Sequence, residues 1–399
     1  MPPIDRGLKA LYVSSFLFNL AVAMAVLTVT LHAIDLGATP LQLGIIGMAW
    51  PAIFSVSAVV AGPLSDRIQR WILPVVGSIV VSISYAMVNL ATRPLHLMLL
   101  GLPAGVALSF VWPPIEAWVA DLSSPRNMRR NVGFFNLSWS MGAAPGPFLA
   151  GTAFRAGVGL PLSIIVTLIA VSCAIVVLWG RGAVAEEHDE IIAEDDELSR
   201  GFLYLAWIAN VATYFTIGVM RSLFPKLGEQ LGMGTPSIGA LLSLITFSQV
   251  VTFAVLSRTS GWHYRLLPVI TSQVVLLFSS LMVYTLSGVG QLSPVMVLMG
   301  CCTGLTYYSS IYYSLNTSGS RGARSGIHEA LIGVGIVLGP LSGGIVAQAW
   351  GLRAPYLLAA GAIMVGMAAT GAFGLKLRGL RNSRAVDARD SIFKDGAGR

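Results

Sequence analysis

Gly62-Pro63-Leu64-Ser65-Asp66-Arg67-Ile68-Gln69-Arg70 is a short polar break between two apolar runs, residues 41–62 and 71–92. Each run is long enough to cross a bilayer, which takes about 20 mostly apolar residues. A charged stretch between two such runs reads as the turn of a membrane hairpin.

Ten further apolar runs lie outward from this turn, so twelve crossings are expected: 10–33, 41–62, 71–92, 95–119, 132–154, 158–180, 201–223, 236–257, 265–287, 292–314, 327–349 and 354–376. Hydrophobic residues fill 55% of the 399 positions and charged ones 11%, with a mean hydropathy of +0.75. A soluble chain carries about 25% charge, so lipid must face most of this surface. The N-terminal run is longer than a signal-peptide core and lacks a clear cleavage pattern, so it is expected to remain as the first crossing. The 43 glycines suit membrane helices, where small residues let backbones approach. Gly101-x-x-x-Gly105, Gly142-x-x-x-Gly146, Gly300-x-x-x-Gly304 and Gly335-x-x-x-Gly339 are the expected contact faces. Cys173, Cys301 and Cys302 sit in apolar runs without disulfide or zinc spacing, so they are read as packing residues, and neither metal nor cofactor is implied.

An even number of crossings puts both termini on one side. On that side fall 20 of the 25 Lys and Arg residues, and the other side has only Arg93, Arg155, Arg221, Lys226 and Arg353. Positive charge collects in cytoplasmic loops, so both termini are expected in the cytoplasm and the protein in the inner (plasma) membrane. This sidedness accounts for the net charge of +7 without invoking nucleic acid. Residues 181–200 hold 8 of the 18 acidic side chains and read as a solvated linker. The expected organisation is a six-helix bundle over 1–180, an acidic cytoplasmic linker over 181–200, a second six-helix bundle over 201–376 and a basic cytoplasmic tail over 377–399.

The two halves repeat. Sliding the second back by 193 residues superposes Gly133 on Gly326, Gly142 on Gly335, Gly146 on Gly339, Pro147 on Pro340 and Gly151 on Gly344. Thr39-Pro40 before crossing 2 also matches Thr235-Pro236 before crossing 8, and Asn19 matches Asn210 at a nearby offset. A duplicated bundle implies a pseudo-twofold axis with a site between the halves.

With the repeat in view, Gly62 to Arg70 resembles the signature G-x-L-[AS]-D-R-x-G-R found between crossings 2 and 3 of the major facilitator superfamily. Gln69 and Trp71 depart from that pattern, and the second half keeps only a degraded copy around Ser257 to Arg265. The resemblance implies an all-α membrane protein of twelve transmembrane helices in two pseudo-symmetric bundles. It also implies that Asp66 meets the N-terminus of crossing 11, near Ser325 and Gly326, when the cytoplasmic gate is shut. Arg70 would pair with Asp121 at the end of crossing 4, making Asp66, Arg67, Arg70 and Asp121, with Arg130 nearby, a gate latch; the charges could instead only mark a cytoplasmic loop.

Glu116 and Glu329 lie within apolar runs, where an ionised side chain costs about 2.5–3.5 kcal/mol at a helix centre. Either, with His328 beside Glu329, could serve the gate or carry protons. Many proton-linked members of the superfamily have an arginine in crossing 4, where this chain has Gly101. Gly142 to Gly151 resembles the G-x-x-x-G-P motif of exporters in the drug/proton antiporter group, with Gly142, Gly146 and Pro147 as an expected kink. Gly335, Gly339 and Pro340 repeat it in crossing 11, where it could be packing alone. Superfamily members line their cavity with crossings 1, 4, 7 and 10, which here hold Asn19, Phe110, Trp112, Asn210, Tyr214, Tyr307, Tyr308, Tyr312 and Asn316. Aromatics with a few amides suit a neutral or amphipathic organic solute. Arg221 and Lys226 could attract an anion or snorkel to the interface.

No nucleotide loop or metalloprotease helix is present, so an enzyme is not expected. The expected function is secondary transport of a small organic solute by a monomer in the lipid bilayer, coupled to protons or another ion, with efflux slightly ahead. Uptake of a small metabolite, or a transporter-like sensor or assembly component without transport, are the alternatives.

Overall fold

A computed structural model describes residues 6–124, 127–180, 197–316 and 321–396. Side chains at 129, 180, 197, 198, 315, 316, 321–323, 325 and 376–396 lie outside the described set, as does the acidic run 181–196.

Ten described segments are long and apolar enough to cross a membrane as single units. They are Arg6–Asp35, Pro40–Arg67, Pro94–Asp121, Gly159–Trp179, Ser199–Gln230, Thr235–Leu256, Leu266–Thr285, Val289–Ser314, Gly326–Trp350 and Ala354–Leu375. The shorter apolar helix Ile72–Val88 is crossing 3. Crossing 5 comes in two pieces, Met128–Ala143 and Gly146–Ala153, which is why it fails a test for one long helix. Twelve crossings result.

Proline decides where crossings break. Pro145 and Pro147 remove two backbone donors within one turn of crossing 5, and the helix restarts at Gly146. The freed Phe148 N–H donates to Ser243 Oγ of crossing 8 at 2.9 Å, so the new N-terminus is satisfied from the other half. Crossing 11 has the matching glycines but only Pro340, and it runs unbroken from Arg321 to Trp350. Crossing 4 is interrupted at Phe110–Val111, just before Pro113 and Pro114, giving Pro94–Ser109 and Trp112–Asp121. The repeated Thr-Pro starts have diverged. Thr39 and Gln42 form a capping box on crossing 2, whereas Thr235 Oγ1 donates to Gly151 O across the halves at 2.7 Å.

Pairing repeats the symmetry of the sequence. Crossing 1 packs on 5 and 6 as 7 packs on 11 and 12, and 2 packs on 4 as 8 packs on 10. The halves meet where 2 touches 11 and 5 touches 8. These contacts are backbone on backbone at the end away from the termini. A Cβ on Gly344 would stand 2.9 Å from Pro40 O and 3.0 Å from Gly44 Cα, and one on Gly239 would strike Pro147 O. Toward the termini, Gly62, Gly133 and Gly326 face open space. The halves are therefore sealed backbone against backbone at the far end.

Candidate functional site

The break in crossing 4 places Trp112 and Glu116 on the piece that faces the second half. Glu116 is exposed although it lies within a span, and Glu329, near the start of crossing 11, is 46% exposed. The two carboxylates, one from each half, lie close enough to interact electrostatically. Both exposed carboxylates lie inside apolar crossings, where ionised groups are seldom left against lipid. His328 is fully buried beside them, with Nδ1 2.6 Å from Ser310 Oγ and Nε2 3.7 Å from Glu329 Oε1. Its Nδ1 contact with Ser310 holds crossing 11 against crossing 10 next to Glu329.

A chain of aromatic rings runs above this pair and crosses between the halves. Phe18 meets Trp112 at 5.7 Å, Trp112 meets Trp139 at 6.5 Å, and Trp139 meets Tyr307 at 6.1 Å. Tyr307 continues to Tyr214 at 6.2 Å, Phe253 at 5.4 Å and His328 at 4.9 Å. Edge and tilted contacts of this kind fix ring positions. Asn19 Nδ2 donates to Trp139 O at 2.9 Å, holding crossing 5 against crossing 1.

Of the residues selected from the sequence, Trp112 and Tyr214 enter this chain, and Asn19 supports it. Tyr308 lies beside Phe253 and Trp262. Tyr312 stacks on His263 at 4.5 Å, away from the cavity. Asn210 is fully buried, and neither amide atom has a hydrogen-bond partner. The side chain of Asn316 lies outside the described residues. Trp139 and Phe253 were not selected, because crossings 5 and 8 were not counted among the lining helices. The polar Asn136, Ser138 and Ser140 around Trp139 were the available signal.

At the terminal end, the Arg70 guanidinium bridges two carboxylates of the first half. Nη1 donates to Asp66 Oδ1 at 2.6 Å and Ser65 Oγ at 2.9 Å, and Nε donates to Asp121 Oδ2 at 2.7 Å. Burial works against its charge, but the bonds to Asp66 and Asp121 outweigh it and its pKa is raised. Asp66 remains 65% exposed and Arg67 is exposed, while Arg130 Nε is buried without a partner. Gly142 admits the Phe16 carbonyl, and Gly146 packs against Ala23 and Met24. Gly335 and Gly339 pack against crossing 7 at Val211 and Phe215.

A helical bundle of two repeated halves with ionisable groups inside its crossings is transporter architecture, and comparison with known sequences decides the family. The sequence profile of the Major Facilitator Superfamily matches residues 11–318 and 206–394. The chain belongs to that superfamily. Its members are transporters and not enzymes. An uncharacterized MFS-type transporter of Methanocaldococcus jannaschii is 23% identical over 377 residues, spanning 90% of this chain and 96% of that one. Multidrug resistance protein 1 of Bacillus subtilis is 22% identical over 340 residues, 80% of this chain and 85% of that one. Among solved structures, a bacterial homolog of the human lysosomal transporter Spinster, in an inward-facing and occupied conformation, superposes with a TM-score of 0.75. It is 14% identical, with 93% of this chain and 97% of that one covered.

Proposed function

We propose that this superfamily member moves a small organic solute across the inner membrane by alternating access, with export as its direction and protons as the coupling ion. The observation that carries the reading is a pair of exposed carboxylates, Glu116 and Glu329, one from each half and within electrostatic reach, beside the rings of Trp112, Trp139, Tyr307 and Tyr214 that bridge the halves. Two ionised carboxylates repel, so the halves can close around them only with a proton or a basic solute between them. Proton and solute then compete for one site, which is the logic of exchange. The B. subtilis relative named for multidrug resistance supports export, and the 20 basic residues on the terminal side support cytoplasmic termini.

The halves, residues 1–180 and 201–376, rock about the seal between crossings 2 and 11 and crossings 5 and 8. Arg70 holds Asp66 and Asp121 together in the state described, and the exposed Asp66 is free to move to the N-terminus of crossing 11 as the cytoplasmic gate shuts.

Reconstituted vesicles with and without an imposed pH gradient test this. A gradient should drive solute accumulation by the wild type, and Glu116→Gln or Glu329→Gln should abolish the drive while leaving solute binding. Gradient-driven accumulation equal to wild type in both variants would refute the coupling role.

A further inference from the structure

Beyond the aromatic chain, toward the sealed end, lies an enclosed chamber of about 60 Å³. Thr30, Gly47, Trp50, Gly101, Arg221 and Ile336 are among its walls, so both halves contribute. Tyr214, Gly218 and Arg221 share one face of crossing 7 at i, i+4 and i+7, and Arg221 and Tyr214 interact electrostatically. Arg221 thus contributes to the wall of the chamber. No carboxylate among the described residues pairs with it. Besides apolar side chains, the walls carry hydroxyls of Thr30, Ser84, Tyr85 and Ser222 but no carboxylate, so an anion that visits the chamber would supply the counter-ion this part-buried charge lacks. Gly101 lines the same space.

Size sets what enters. On the same measure a single water needs about 10–15 Å³, so the chamber has room for an acid group. Glu329 and Ile336, which is a chamber wall, are seven residues apart on crossing 11, or about 10 Å at 1.5 Å per residue.

We infer that Arg221 is an anion subsite and that the solute is amphoteric. Its acid group sits on Arg221, its basic group lies between Glu116 and Glu329 about 10 Å away, and an aromatic or apolar body spans the rings between. The inference rests on the transport reading above.

Three matched compounds test it: 4-(4-aminobutyl)benzoate, with both charges at about this spacing; 4-phenylbutylamine, with the base alone; and 4-butylbenzoate, with the acid alone. Calorimetric titration of the detergent-solubilised wild type is expected to show the amphoteric compound binding at least about tenfold more tightly than either of the others. Arg221→Gln should reduce its affinity to that of the amine and leave amine binding unchanged, which also shows that the variant folds. Arg221→Lys, which keeps the charge, should stay within about threefold of wild type. Equal binding of the amine and the amphoteric compound by wild type, or undiminished amphoteric binding by Arg221→Gln, would overturn the subsite alone. If wild-type vesicles move no solute of any charge class, the transport reading falls and takes the subsite with it.

Discussion

Substituting Gly344 by alanine tests whether the halves pivot about a backbone seal. The new Cβ would lie 2.9 Å from Pro40 O and 3.0 Å from Gly44 Cα, against ordinary contact that begins at 3.4 Å. Backbone cannot rotate aside as a side chain does, so crossings 2 and 11 must part by about 0.5 Å, the difference between 3.4 and 2.9 Å. Overpacking of this kind costs about 1–3 kcal/mol. The alanine's gain in helix propensity cancels, because crossing 11 is helical whichever way the halves face. The net cost therefore falls on the sealed state, and the open-to-sealed ratio at the far end should rise by about 5- to 150-fold. Thr30 lines the sealed chamber and reports on that opening. With Cys173, Cys301 and Cys302 replaced, a Thr30→Cys reporter should react with an impermeant thiol reagent, added at the face away from the termini, faster by that factor. Gly44→Ala, whose Cβ would meet Pro340 O more closely, should exceed Gly344→Ala, and Gly62→Ala, which faces open space, should match the parent. A folded Gly344→Ala protein with an unchanged labelling rate would refute the seal as the pivot.

Three other substitutions probe the elements around it. Asp121→Asn leaves the half-buried Arg70 with Asp66 alone, so thermal unfolding in detergent should register a loss of about 1–3 kcal/mol; an unchanged midpoint would reduce the latch to a loop charge. Trp139→Ala cuts the ring chain where it passes between the halves, and solute affinity by calorimetry should drop by about tenfold, while full affinity would place the solute elsewhere. Ser243→Ala strands the Phe148 N–H and should raise Thr30→Cys labelling from the far face by about fivefold, from a lost hydrogen bond of about 1 kcal/mol; no change would mean that water replaces the hydroxyl.

Much of the site was legible because charge in an apolar chain is conspicuous. Glu116, Glu329 and His328 stood out from their surroundings, and Asp66, Arg70 and Asp121 were found by motif and position. Trp139 and Phe253 were not, since an aromatic side chain in an apolar run carries no signal of which way it faces. Tyr312 was selected by type and stacks on His263, because a helix has more faces than the one turned to the site.

Hydropathy acts one segment at a time, so the sequence by itself determined the number of crossings, the duplication and the family signature. Tertiary contact decided what local pattern leaves open. The same G-x-x-x-G-P stretch is broken in crossing 5, where a second proline and Ser243 of the other half favour the restart, and unbroken in crossing 11. Glu116 and Glu329 come within electrostatic reach, and Arg221 joins residues of the first half around the chamber, only because two bundles dock over distances in sequence that no periodicity spans.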